Sequence, residues 1–250
     1  MPVLTSLPAH GRIACRKCFT TDGDVKEVGL WQAVNDPSAW GATEPKVLVL
    51  GFSKGFTQAT ASLGGNFEAI PFKGMRPRLT SALRRIGMLS ESETVETKFS
   101  AGETNFAFGS LVRCSLSRLN AKTGKRACTG DIMPRAFVEP VQEVVRRCGD
   151  TFLSKLPASV RVVVMLGTGD AYMSGCRSLI QSIYGAGFRG INDVAYQTPG
   201  VIWVHITHPS GMNGYFNPWI EGNASNPSGN KLVKALEALA RLNPPIRQAA

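Results

Sequence analysis

The residues best suited to chemistry lie near the C-terminus, in Val201-Ile-Trp-Val-His-Ile-Thr-His-Pro-Ser210 and the Gly-Met-Asn-Gly-Tyr-Phe that follows. The apolar half reads as a buried strand whose end delivers His208, Pro209 and Ser210 into a loop. Open α/β sheets bind ligands beyond the carboxyl ends of their strands, so His208 stands where a catalytic group is expected. A structural histidine capping the strand is the plainer account. A second candidate is Ile70-Pro-Phe-Lys-Gly74, where a proline and a glycine hold an aromatic ring that can stack on a base, or simply join the core. Gly51-Phe-Ser-Lys-Gly55 lacks the spacing of a P-loop, yet its glycines permit a tight turn with exposed backbone N–H groups.

Six cysteines form the third set. Cys15 and Cys18 make a C-x-x-C in a basic stretch, Cys114 follows the apolar run from Phe106, and Cys148 ends a helical pattern. Cys128 lies in a Lys/Gly-rich segment and Cys176 in Ser-Gly-Cys-Arg. One C-x-x-C with two distant cysteines can bind zinc or an iron–sulfur cluster, since both accept four thiolates. Unrelated buried cysteines give the same spacing. No apolar leader opens the chain, which predicts a cytoplasmic protein, where structural disulfides are disfavoured. No stretch approaches the roughly 18 to 20 apolar residues of a membrane span.

The elements that must position these groups follow from hydrophobic periodicity. Lys46–Leu50, Phe106–Arg113, Arg161–Gly167 and Val201–Ile206 read as buried strands. Helices are predicted from Arg78 to Gly87, from Pro134 to Leu156 (weakened by Pro140 and Gly149), from about Asp170 to Tyr184 and from Lys231 to Leu242. Residues 58–66 read as a loop or frayed helix, 115–133 as a basic loop, 185–200 as turns, and the tail after Asn243 as loose. Strands alternating with helices imply an α/β fold with a parallel sheet covered on both faces. At 250 residues, one domain is expected over residues 1–250. Lys and Arg number 28 against 18 acidic residues, a net +10. That suits a phosphate backbone as partner, or serves solubility alone.

Taken in order, these motifs resemble the iron–sulfur (family 4) branch of the uracil-DNA glycosylase superfamily. That family runs C-x-x-C, a strand ending in G-E-x-P-G, then G-R-P-F-x-G, T-N-x-x-K-C-R, a further cysteine on a helix, L-G-x-x-A and a strand ending in H-P. Here Cys15-x-x-Cys18, Gly51 to Gly55, Pro71-Phe-Lys-Gly74, Val112-Arg-Cys114, Cys148, Leu166-Gly-Thr-Gly-Asp-Ala171 and His208-Pro209 keep that order over residues 12 to 215. The resemblance implies a central four-stranded parallel sheet with helices on both faces. It also implies a pocket that flips a base from single- or double-stranded DNA and hydrolyses its N-glycosidic bond, in a monomer that needs no membrane. Cys15, Cys18, Cys114 and Cys148 would hold a [4Fe–4S] cluster, the first pair within an N-terminal segment of about residues 10–30. Phe72 would stack on the base and His208 would meet the leaving anion. Gly51, Ser110, Ser210 and Asn213 would contact the nucleotide, with Met212 close to the DNA strand.

The departures are as informative as the matches. Phe52 replaces the family's glutamate, Lys54 its proline, and Ser110 the asparagine that reads uracil's edge. Phenylalanine cannot act as a general base. Ser53, Glu68 or Asp170 would have to supply the missing polar group, or leaving-group stabilisation would dominate. The expected substrate is therefore uracil or, more in keeping with these changes, a modified or bulky base. Hypermodified cytosine in phage DNA, and hence a role in antiviral defence, is one such case. A DNA-binding relative without catalysis is the rival.

Overall fold

The computed structural model describes residues 6–20, 23–55, 66–243 and 246. The N-terminal part contributes short strands β1 (Gly11–Arg12), β2 (Val25–Val28), β3 (Trp31–Val34) and β4 (Ser38–Gly41), followed by β5 (Val47–Lys54). Helix α1 (Arg76–Arg85) leads to the long β6 (Phe106–Leu119) and to β7 (Arg126–Ala127). Helices α2 (Ile132–Arg135) and α3 (Gln142–Phe152) precede β8 (Val162–Leu166). Then come α4 (Asp170–Tyr184), β9 (Arg189–Asn192), β10 (Ala195–Thr198), β11 (Val201–Ile206), α5 (Phe216–Glu221) and α6 (Pro227–Leu239).

At the centre stand four parallel strands in the order β6-β5-β8-β11, with Val47 beside Phe106 and Val162, and Ile202 beside Val162. They are the four strands predicted from the apolar runs. Each is almost wholly buried because helices cover both faces, so the runs are continuous and not alternating. One face packs the apolar sides of α1, α5 and α6, and the other those of α3 and α4. The crossover from β5 to β6 runs over the first face and those moving the opposite way, β6 to β8 to β11, over the second. A single handedness of crossover requires this arrangement. β5 is therefore the strand at which the crossovers change face, the place where such sheets bind ligands.

Several predicted boundaries need correction. β6 continues six residues past Arg113, because Ser115, Leu116, Ser117 and Arg118 pair antiparallel with Val34 back to Trp31. Much of the expected basic loop is thus strand. The segment 185–200 holds the hairpin β9–β10, which extends the sheet antiparallel beyond β11. The expected single helix from Pro134 to Leu156 is two, separated around Pro140, whose ring and missing N–H break the ladder. Gly149 does not break α3. It lets the helix approach α4, where a Cβ would fall 3.1 Å from Ile183 Cδ1. The α4 boundaries match, while α1 and α6 each begin earlier than predicted, α6 capped by Asn226. The predicted loop at 58–66 and most of the tail after Asn243 lie outside the described residues, although Ile246 packs on the core.

Candidate active site

A cavity of about 270 Å³ opens beside the ends of β5 and β11. Its walls include Gly51, Phe52 and Ser53 from β5, Gly109 and Ser110 from β6, Phe72, and His208 with Ser210 from the loop after β11. Residues proposed from four separate sequence segments therefore meet in one pocket. A larger open groove, about 840 Å³, runs beside α3 and α4. It contains no histidine or cysteine, and its Arg146 and Glu143 are already paired at 2.8 Å. Chemistry favours the smaller site.

Burial pushes the pKa of His208 down to about 4, so the imidazole is neutral at pH 7. Its Nδ1 accepts the backbone N–H of Ser210 at 3.2 Å. That bond assigns the proton to Nε2, which becomes the free donor of a pocket-lining ring. Asn213 does not line the pocket. Its amide donates to Thr207 Oγ1 at 3.0 Å and to the His208 carbonyl at 2.8 Å, fixing the loop that carries the histidine. Arg78 adds a bond to the Ser210 carbonyl, with its guanidinium 4.0 Å over the ring of Phe216.

Phe72 is the one non-glycine residue with positive φ (54°) among those described. Such a backbone conformation is costly for a bulky residue and persists only where the surroundings enforce it. Here Phe99 stacks on the ring at 6.1 Å and Phe108 meets it edge-on at 6.3 Å. The result is a ring fixed against the pocket. On another wall Phe52 packs edge-on against Tyr172 at 6.1 Å.

No aspartate or glutamate lines this cavity among the described residues. Glu68 sits in a 3-10 turn, its carbonyl engaged by Arg76, and does not line the pocket. Asp170 heads α4, largely exposed, and pairs with Lys231 at 2.7 Å. Two serines line the cavity: Ser53, whose Oγ is buried without a partner, and Ser110, which is 7% exposed. The Lys54 side chain turns away from the pocket walls and is 1% exposed. It pairs with Asp36 Oδ2 at 3.1 Å, while Asp36 also accepts from Ser115 N and Oγ at 2.7 Å. This network fastens the N-terminal segment to β6.

Sequence reasoning missed Trp40, Cys128, Thr129 and Met133 as walls of the pocket. Trp40 lies in a short strand without visible periodicity, and Cys128 in a segment that reads as an insertion. Arg113, at the end of the run read as a strand, is fully buried.

Cys15, Cys18, Cys114 and Cys148 line a second, very small cavity together with Lys17 and Arg147. No carboxylate lines it, and Cys148 Sγ accepts the Arg113 backbone N–H at 3.2 Å. Burial raises the thiol of Cys148 to about 11 and pushes those of Cys18 and Cys114 up as well. Among the described residues no group of three or more His, Cys, Asp or Glu side chains has the spacing to hold a single metal ion. A cluster asks for something wider, because each thiolate binds a different iron.

The fold is a doubly covered α/β sheet with a pocket at the strand where its crossovers change face. No family model and no curated protein matches the sequence. Among solved structures, the crystal structure of wild-type Pedobacter heparinus SMUG2 aligns with a TM-score of 0.40 and 15% identity, over 80% of this chain and 77% of that one.

Proposed function

We propose that this chain is a DNA glycosylase that excises a modified base and leaves an abasic site. The observation that carries the reading is the pairing of a neutral, Nε2-protonated His208 with the fixed ring of Phe72 in one base-sized pocket. Flipping a base out of the stack costs a few kcal/mol. Stacking on an aromatic ring is worth about 1 to 3 kcal/mol per base, so Phe72 offsets much of that cost.

As the bond between the sugar C1′ and the base nitrogen breaks, the electron pair leaves with the base and the sugar becomes cationic. His208 Nε2–H donates to the anionic base, a charge that develops only in the transition state. A water then adds to C1′ and its proton passes to the departing base anion, which leaves a neutral base and an abasic sugar. The Ser110 hydroxyl, on the pocket wall, can orient that water. Since no carboxylate lines the pocket among the described residues, leaving-group stabilisation supplies most of the acceleration in this reading.

Ser110 and Phe52 leave an open, partly apolar edge where uracil-reading sites present an amide and an acid. The preferred base is therefore larger or modified, hypermodified cytosine included. Around the pocket, Met212 (95% exposed) and Tyr215 present apolar side chains and Lys73 a cation, groups suited to a DNA stack and its phosphates. The four cysteines fit a [4Fe–4S] cluster in their donor set, their shared cavity and the N–H directed at Cys148. Such a cluster would tie the N-terminal segment, β6 and α3 together through iron–thiolate bonds.

Single-turnover excision from matched oligonucleotides carrying uracil, xanthine, hydroxymethyluracil or glucosylated hydroxymethylcytosine tests the proposal. Release of a modified base at least tenfold faster than uracil is expected, about 1.4 kcal/mol in barrier. Uracil as the fastest substrate overturns the specificity. DNA binding with no base released favours a non-catalytic relative.

A further inference from the structure

Arg113 is the least explained side chain in the molecule. It is 2% exposed, makes no ion pair or side-chain hydrogen bond with any described residue, and its Nε is buried without a partner. The guanidinium lies 5.4 Å from the Phe152 ring and fills the space beside Gly109, where a Cβ would overlap Nη1. Gly109 is thus the only residue type this contact permits. Burying a cation without a counter-charge costs several kcal/mol, and native proteins pair such groups or place them on an anion. Its backbone N–H donates to Cys148 Sγ at 3.2 Å, and no described carboxylate pairs with the guanidinium.

The other cations at the cysteine cavity are already engaged. Lys17 Nζ donates to Thr151 Oγ1 at 3.2 Å, and Arg147 pairs with Glu143 at 3.0 Å. Phe152 lines that cavity, and the Arg113 guanidinium lies 5.4 Å from its ring.

We propose that Arg113 is the internal counter-cation of the four-cysteine centre, a positioning residue that balances ligating thiolates and raises the reduction potential of the cluster they hold. This rests on the reading of Cys15, Cys18, Cys114 and Cys148 as cluster ligands. Each electron added to a cluster makes it more negative, so a fixed buried cation favours the reduced state. Surrounding charge and burial are among the factors that set such potentials.

The test compares anaerobically purified wild-type protein with Arg113→Met and Arg113→Lys. Iron content is measured, and one-electron reduction by dithionite is followed against potential. For Arg113→Met the ratio of reduced to oxidised cluster at fixed potential should fall about tenfold, a midpoint about 59 mV lower for a one-electron couple. Arg113→Lys, which keeps the charge, should stay near wild type. Loss of iron from Arg113→Met, with retention in Arg113→Lys and matching circular dichroism, supports the proposal equally. An unchanged midpoint in Arg113→Met, or Arg113→Lys behaving like Arg113→Met, overturns it. Should Arg113→Met not fold, Gly109→Ala displaces the guanidinium without removing it, and an unchanged midpoint there refutes the idea. Wild-type protein without iron ends both the cluster reading and this inference. An iron-loaded protein that releases no base ends only the glycosylase reading.

Discussion

His208 should act as a neutral hydrogen-bond donor, and this has a pH signature distinct from that of an imidazolium. With its pKa lowered from 6.5 to about 4, roughly one ring in a thousand is charged at pH 7. The drop corresponds to about 3 kcal/mol against protonating the folded site. Single-turnover excision should therefore show no inflection near pH 6.5 and remain level from about pH 6 to 8. His208→Ala should lower the rate ~10² to 10³ at pH 7, the usual cost of losing one such donor. His208→Gln, which keeps an N–H, should recover part of it. A rate that follows a pKa near 6.5 in the wild type, and ceases to in His208→Gln, refutes the neutral-donor argument. Full activity in His208→Ala refutes the site. The same pKa also bears on stability. Because the unfolded chain binds the proton more tightly, His208 contributes fully above pH 6.5, and the contribution is lost as pH falls towards 4.

Other expectations follow from the same contacts. His205 is wholly buried, also lowered to about 4, so His205→Met should flatten the fall in thermal stability between pH 6.5 and 4 in differential scanning calorimetry. Phe72→Leu keeps apolar volume but loses the stacking face, and should weaken binding to base-modified DNA by about 1 to 3 kcal/mol while the protein stays folded. Unaltered affinity excludes Phe72 as the stacking residue. Anaerobic protein should carry about four irons per chain and keep them in Cys128→Ser, since Cys128 lines the other pocket. Zinc without iron contradicts the cluster. DNA affinity should fall with salt by about 0.9 counterion per neutralised duplex phosphate, and Lys73→Ala should reduce that slope; salt-independent binding opposes a phosphate-tracking surface.

The parallel core was legible because both-face burial leaves a plain mark: Val162 to Leu166 admits no polar residue. The pocket was legible through the order of short motifs, and His208, Phe72, Ser53 and Ser110 do meet there. What escaped depended on partners distant in sequence. Ser115 to Arg118 holds one apolar residue, Leu116, among three polar ones, and its pairing partner is β3, whose four residues carry too little pattern to announce a strand. Nothing local marks Arg113 as a buried arginine; its burial follows from Gly109 four residues earlier and Phe152 on another element. Trp40 and Cys128 reach the pocket through the same long-range packing.

The fourteen-residue β6 changes neighbours along its length, with β4 and β5 beside its first half and β3 and β7 beside its end. Its first half, through Val112, runs parallel to β5 inside the doubly covered core. Residues 115–118 pair with β3, part of a hairpin whose outer strand is exposed or half-buried. Native-state amide exchange distinguishes such regions, since lightly buried units open at a smaller free energy than the global one. Trp31 and Ala33 hold β3 in the core, so it is the outer strand β2 that can open while β6 and the pocket remain intact. Amides of β2 and of β6 belong to one sheet but should exchange at two levels of stability.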